Sequence, residues 1–314
     1  MNTKTLRGWT LGTALMLVLS PWLTAQQSTT QTIVTVTPKS KQQESIQKIQ
    51  SQNVQVYSNS KQAELTGWQW AGNSRLQLMV LLDDSTSGSL GRQLQDIKSF
   101  IQALPPTTEV SVAYMQNGRA VPTQTFTLDH QAATKAVRMP LGIPGGNGSP
   151  YFVISDVAKK WPSKEPAARR EILMISDGVN RYSDQAFDPN DPYFLSAIQD
   201  AQKAGIIVYS IYYRGAGMLD RNPGVTNGGQ NYLTGLSQAT GGHSYMLGLS
   251  NPVSLSPYLD DLSRRLQNQY ELTFLNPHES KANLADLKVK IQTPGVEIEA
   301  PSRAPITHNP AGGR

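Results

Sequence analysis

Apolar residues run almost unbroken from Leu76 to Leu82 (Leu-Gln-Leu-Met-Val-Leu-Leu), the pattern of a strand buried on both faces of a parallel sheet. Leu90, Leu94, Ile97, Ile101 and Leu104 then recur at helical spacing, with Phe100 flanking the stripe, and Pro105-Pro106 ends that helix. Glu109–Met115 and Arg119–Thr127 read as two strands joined by Asn117-Gly118, a dipeptide that tolerates the positive φ of a tight hairpin. Pro122 cannot donate to a ladder, which sends the second of these strands to a sheet edge. Glu171–Ser176 and Ile206–Tyr213 are further buried strands. Between them Asp191-Pro192 opens a helix as N-cap and first-turn proline, Phe194, Ile198 and Ala201 line it, and Gly205 closes it. Tyr232, Leu233 and Leu236 mark another helix ending near Gly241-Gly242, Ser244–Met246 a short strand, and Leu255, Leu259, Leu262 and Leu266 a last helical stripe. Such alternation predicts a mostly parallel sheet with helices on both faces, whose ligands bind beyond the carboxyl ends of the strands.

The flanking segments carry a different pattern. Residues 53–72 alternate as a β-hairpin around Ser58-Asn59-Ser60-Lys61, and Trp68 and Trp70 are expected in the core of a small β module. Tyr270–Leu275, Leu287–Ile291 and Val296–Glu299, within residues 270–303, alternate like strands and are expected to pair with that hairpin. Residues 26–52, rich in Gln, Ser and Thr, read as a polar linker, and residues 304–314 as a loose tail. Residues 1–25 combine a basic start, a short apolar core, Pro21 and a small residue, Ala25, before Gln26. That is the form of a secretory signal peptide cleaved near Ala25, with a retained signal anchor as the alternative. The expected location is therefore secreted or periplasmic, with membrane contact only through an uncleaved signal.

Composition narrows the chemistry. The 314 residues hold no cysteine, which excludes thiolate metal sites, cysteine nucleophiles and disulfides. The four histidines lie far apart with no HExxH, which argues against a zinc hydrolase. Net charge is +5, and Lys4 and Arg7 of that balance lie in the leader. No cluster of Lys and Arg points to nucleic acid, and no GxxxxGK[ST] loop points to a nucleotide.

The first buried strand runs straight into Asp83-Asp84-Ser85-Thr86-Ser87-Gly88, so Asp83, Ser85 and Ser87 stand at Asp-x-Ser-x-Ser spacing. The strand Glu171–Ser176 runs straight into Asp177-Gly178, and Gly145-Gly146-Asn147-Gly148-Ser149-Pro150 opens a helix between them. Over roughly residues 74–269 these pieces resemble the von Willebrand factor A (VWA) domain and its metal-ion-dependent adhesion site. With the flanking β segments, the chain also resembles secreted bacterial VWFA-related proteins. The resemblance implies an α/β fold: a doubly wound, mostly parallel sheet with one antiparallel edge strand, here spanning residues 73–269, with the small β module added. It implies metal ligation by Asp83, Ser85, Ser87, Ser149 and Asp177, with Ser149 standing where the family usually has Thr. The implied ion is Mg2+ or Mn2+, and the implied partner is a protein presenting a carboxylate to the metal. The hardness of Mg2+ agrees with hydroxyl and carboxylate donors. The module is expected to bind rather than catalyse.

Two other readings remain open. A metal-free envelope component would use the same fold as a scaffold between proteins. A metal-assisted hydrolase would use Asp83 and Asp84 on a phosphate ester, although no general base at suitable spacing and no GxSxG elbow accompany them. Asp84 reads either as a solvated loop charge or as a carboxylate tuning the metal site from behind its ligands. Asp184, Asp188 and Asp191 read as turn and cap residues, with a second, Ca2+-type ion as the alternative. Gly228-Gly229 makes no dinucleotide fingerprint.

Overall fold

The computed structural model describes residues 28–39, 49–165, 169–277 and 283–307. The signal-peptide segment lies outside the described residues. In chain order the elements are β1 (Thr29–Pro38), β2 (Val54–Ser58), β3 (Lys61–Trp70), β4 (Leu76–Asp83), α1 (Leu94–Ala103), β5 (Thr108–Gln116), β6 (Arg119–Thr127), α2 (His130–Lys135), α3 (Pro150–Lys159), β7 (Arg169–Ser176), α4 (Pro192–Lys203), β8 (Ile206–Tyr212), α5 (Pro223–Thr240), β9 (Ser244–Tyr245), α6 (Ser256–Gln267), β10 (Gln269–Leu275), β11 (Leu284–Ile291), β12 (Val296–Glu299) and β13 (Arg303–Thr307).

Six strands form one sheet in the order β6-β5-β4-β7-β8-β9. The pairs β4–β5, β4–β7, β7–β8 and β8–β9 are parallel, and β5–β6 is antiparallel. Every residue of β4 is buried, and its pleat feeds two cores. Leu76, Leu78, Val80 and Leu82 face one core with Ile97, Phe100 and Ile101 of α1 and Leu259, Leu262 and Leu266 of α6. Met79 and Leu81 face the other, with residues of α3, α4 and α5. A continuous apolar run is what two covered faces require.

The other seven strands overturn the expected architecture. β10, β3, β2, β11, β13 and β1 pair in that order, and β1 pairs again with β10. The ring is closed by Thr29↔Leu275 through Thr35↔Gln269, and β12 attaches to the far half of β1. The expected fold class, a doubly wound, mostly parallel sheet carrying a small β module, is corrected accordingly. The mostly parallel sheet is one part of the fold, and a closed six-stranded antiparallel barrel is the other. Closure removes the edges that an open module of hairpin plus strands would have left unpaired.

Two boundaries change with it. Thr29–Pro38, read as linker, is a ten-residue barrel strand. Its Thr30 and Thr35 are fully buried beside Val34 and Val36, and β-branched threonine suits a pleated surface as well as valine does. Arg303–Thr307, read mostly as tail, is β13, which seals the ring between β11 and β1. Trp68 stacks on Tyr270 at 4.5 Å, whereas Trp70 stays 48% exposed and donates its indole N–H to the Gln267 carbonyl at 2.8 Å.

That bond belongs to the junction between barrel and sheet. β3 leads into β4 through five residues, and one residue separates α6 from β10. Arg169, first on β7, donates to the Leu266 carbonyl at 2.9 Å and to the Gln269 side chain, and Gln269 donates to the Tyr209 hydroxyl at 3.1 Å. The barrel thus sits at the amino ends of the parallel strands, which leaves their carboxyl ends free for a site.

Candidate functional site

Five loops meet at that end of the sheet. The turn Asn117-Gly118, with both φ angles positive (48° and 72°), reaches over the sheet. Its N–H groups donate to the Gly146 and Asn147 carbonyls at 3.1 and 3.0 Å, which fixes the glycine-rich loop. The loop after β4 is tied to the loop after β8 by Ser87 N–H to Arg214 O and Ala216 N–H to Ser85 O, both 2.9 Å. Arg181, in the loop after β7, donates its N–H to the Gly148 carbonyl at 3.0 Å.

Asp83 ends β4 fully buried. Its Oδ1 accepts from the Ser85 N–H and Oγ at 2.8 and 2.6 Å. Its Oδ2 accepts from Ser176 Oγ at 2.7 Å and from the Asn147 amide at 3.2 Å. Burial pushes the Asp83 pKa up, against these hydrogen bonds. Asp177 follows β7, also buried. Its Oδ1 accepts from the Val179 N–H at 2.9 Å and its Oδ2 from Arg181 Nη2 at 2.8 Å. Burial, and then the neighbouring Asp83 charge, push the Asp177 pKa up, with the Arg181 guanidinium opposing them.

The remaining expected ligands divide. Ser85 is held on Asp83. Ser149 is fully buried as the N-cap of α3, where its Oγ accepts from the Tyr151 N–H at 3.3 Å. Ser87 caps the 3-10 turn that follows it, its Oγ accepting from the Ser89 N–H at 3.4 Å and from the Ser89 hydroxyl at 3.1 Å. Asp84 is not a solvated loop charge, being 4% exposed. Arg138 grips both its oxygens at 2.7 Å, and the Leu141 N–H adds a bond at 3.1 Å. Burial would raise the Asp84 pKa, but these donors and Gln116 hold it below the usual range. Asp191 caps α4 through the Tyr193 and Phe194 N–H groups, and Asp188 closes a turn on the Asn190 N–H.

Four residues of the site were not singled out from the sequence. Ser176 and Asn147 supply donors to Asp83. Arg181 binds Asp177 and also Asp220 Oδ1 at 2.9 Å, while Asp220 Oδ2 accepts from the Gly217 N–H at 2.7 Å. Arg181 stands four residues after Asp177 in the sequence. Asp220 carries no local signal, because only the fold brings the loop after β8 against the loop after β7.

Among the described residues no three His, Cys, Asp or Glu side chains gather as a metal site. The donor set around Asp83 and Asp177 is instead two carboxylates with hydroxyl and amide oxygens, the hard donors that Mg2+ takes. One observation favours a cation there. Asn147 is 3% exposed, its amide nitrogen points at Asp83, and its Oδ1 has no hydrogen-bond partner among the described residues. A buried acceptor of that kind is costly unless something donates to it or coordinates it. Asp83, Asp177 and Asp220 also outnumber the single guanidinium among them. The residues fit a small divalent ion.

No protein-family model and no curated protein matches the sequence. Among solved structures, an aerotolerance-related membrane protein from Bacteroides fragilis is similar at 14% identity over 61% of this chain and 98% of its own, with a TM-score of 0.45. The SpRpn10 VWA domain is similar at 14% identity over 60% and 95%, TM-score 0.39. The pilus adhesin SpaC from Lactobacillus rhamnosus GG is similar at 8% identity over 81% and 47%, TM-score 0.45. In the six-stranded part, the strand order, the antiparallel edge and the converging Asp83 and Asp177 loops are VWA-like in arrangement. Among the described residues no helix is long and apolar enough to cross a membrane.

Proposed function

We propose that this chain is an exported VWA-type interaction module that captures an acidic group of a protein partner through a divalent ion held at Asp83, Ser85, Ser149 and Asp177. Ser87 would join that set by turning away from Ser89. The observation that carries the reading is Asn147, buried with its amide nitrogen on Asp83 and its Oδ1 without a partner among the described residues. Bound Mg2+ or Mn2+ would supply uncompensated positive charge for a partner's carboxylate. The chain's own residues do the rest. Asp83 is held in place by Ser85, Ser176 and Asn147, and the hairpin turn holds the glycine-rich loop. Exposed Leu141, Ile143, Tyr182 and Met218 lie on the loops that surround the site and offer apolar area for a protein surface. Export rests on the leader-like residues 1–25, and the module has a binding rather than a catalytic role.

One observation favours a second reading, the metal-free scaffold: Arg181 already places a positive charge on Asp177. Thermal unfolding with millimolar Mg2+ and with EDTA, on the protein and on Asp177→Ala, separates the two. A site bound only by the native state stabilises by about 2.7 kcal/mol at a hundredfold excess over its dissociation constant. The expected result is a Mg2+-dependent rise in melting temperature that Asp177→Ala abolishes. An equal response of both proteins, or none in either, would replace the proposal with the scaffold.

A further inference from the structure

We infer that Arg181 is a tethered cation that competes with the divalent ion for Asp177, so that the site is latched by its own guanidinium until metal displaces it. The inference rests on the metal-binding reading above. Arg181 Nη2 occupies Asp177 Oδ2 at 2.8 Å while the Val179 N–H occupies Oδ1. Both oxygens of the expected ligand are therefore engaged. Direct ligation through Oδ2 would bring a divalent charge against a guanidinium, and like charges in a site shielded from water repel strongly. The bond must yield for the metal to use that oxygen.

Asp220 gives the displaced group somewhere to stay. It already accepts from the same Nη2 at 2.9 Å, and its other oxygen is fixed by the Gly217 N–H. Arg181 can give up Asp177 without becoming an unpaired, half-buried charge. Its side chain is 21% exposed, which leaves a route toward solvent. The latch also touches the recognition loops. A Cβ on Gly145 would lie 3.2 Å from Arg181 Cδ, and one on Gly148 would lie 3.1 Å from the ring of Tyr182. Arg181 therefore packs against the glycine-rich loop that carries Asn147 and Ser149, to which its own N–H is bonded at Gly148 O. Metal binding and the position of that loop are coupled through one side chain.

The test is calorimetric titration of Mn2+ into the full chain and into Arg181→Gln and Arg181→Lys, with melting temperatures in EDTA alongside. Arg181→Gln should bind Mn2+ about tenfold more tightly, the affinity equivalent of about 1.4 kcal/mol. Arg181→Lys, which keeps the charge without the planar fork, should fall between. In EDTA, Arg181→Gln should melt below the parent, because Asp177 and Asp220 lose their counter-charge, and saturating Mn2+ should close or reverse that gap. A purely structural arginine would lower both melting temperatures equally and leave affinity unchanged, which overturns the inference while leaving the metal site standing. Absence of Mn2+ binding in all three proteins would instead remove the metal site, and the latch with it.

Discussion

Glu171 shows how one residue can carry a pH dependence remote from the site. It lies on β7, fully buried, and neither carboxylate oxygen has a hydrogen-bond partner among the described residues. Arg169 is a partial counter-charge, its Nη1 3.9 Å from Oε1. Burial pushes the Glu171 pKa up to about 7, with Arg169 opposing. An acid whose folded pKa lies above its ordinary value holds its proton more tightly folded than unfolded. Stability therefore falls as pH rises through the interval between the ordinary glutamate value and about 7, and the whole penalty is present above it. Glu171→Gln should flatten that slope and be the more stable protein at pH 8, by up to about 3 kcal/mol. Urea denaturation at pH 5 and pH 8 measures it. A glutamine variant that keeps the parent's slope would mean that other groups set the pH response. This position also marks the limit of sequence reading at the residue scale. Glu171–Ser176 reads as a buried strand, but nothing local shows that its glutamate is buried without a hydrogen-bonded partner, which follows from the barrel seated below that end of the sheet.

At the scale of elements, the most consequential packing is that of α5 against the Asp177 loop. Gly228-Gly229 had meaning in the sequence only as a pair that fails to make a nucleotide loop. In the fold they are the points where a helix backbone meets other backbone. A Cβ on Gly229 would lie 2.1 Å from the Asp177 carbonyl oxygen, and one on Gly228 would lie 2.0 Å from that of Ala186. Gly178 approaches from the other side with φ +68°, a conformation that favours glycine. Gly229→Ala should therefore cost about 1–3 kcal/mol by overpacking and weaken the Mg2+-dependent rise in melting temperature, since Asp177 must shift. Thermal unfolding with and without Mg2+ checks both. An unchanged Mg2+ response would show that the loop yields without disturbing its carboxylate. Other elements were legible because their signals are local. The β4 run, the Asn117-Gly118 turn and the Asp191 cap each depend on neighbours within a few residues. The contact of α5 with the Asp177 loop joins residues some fifty positions apart, and nothing local announces it.

For the whole molecule, the barrel decides what counts as a domain. β1 was hidden by its composition. Thr-Thr-Gln-Thr-Ile-Val-Thr-Val-Thr-Pro reads as polar and repetitive, yet Thr30 and Thr35 are fully buried and their hydroxyls find partners. Thr30 Oγ1 accepts from Asn276 Nδ2 at 2.8 Å, for example. The strands that complete it, β10, β12 and β13, stand more than 230 residues later, so no window of sequence could show the closure. If residues 26–52 were a linker, removing residues 1–39 would leave stability unchanged. The fold demands otherwise. That removal takes away Val34 and Val36, whose burial alone is worth roughly 3–6 kcal/mol, and opens the ring at β10 and β13. Leu272 and Phe274, fully buried on β10, would meet water. Because one residue joins β10 to α6 and Trp70 ties β3 to the end of that helix, the loss should spread into the core beneath α6. The shortened chain should therefore melt well below the parent, bind a hydrophobic dye, and unfold in two steps with the barrel first. A single transition at the parent's temperature would mean that the six-stranded sheet stands without the barrel, which would make the barrel an appendage rather than the base of the site.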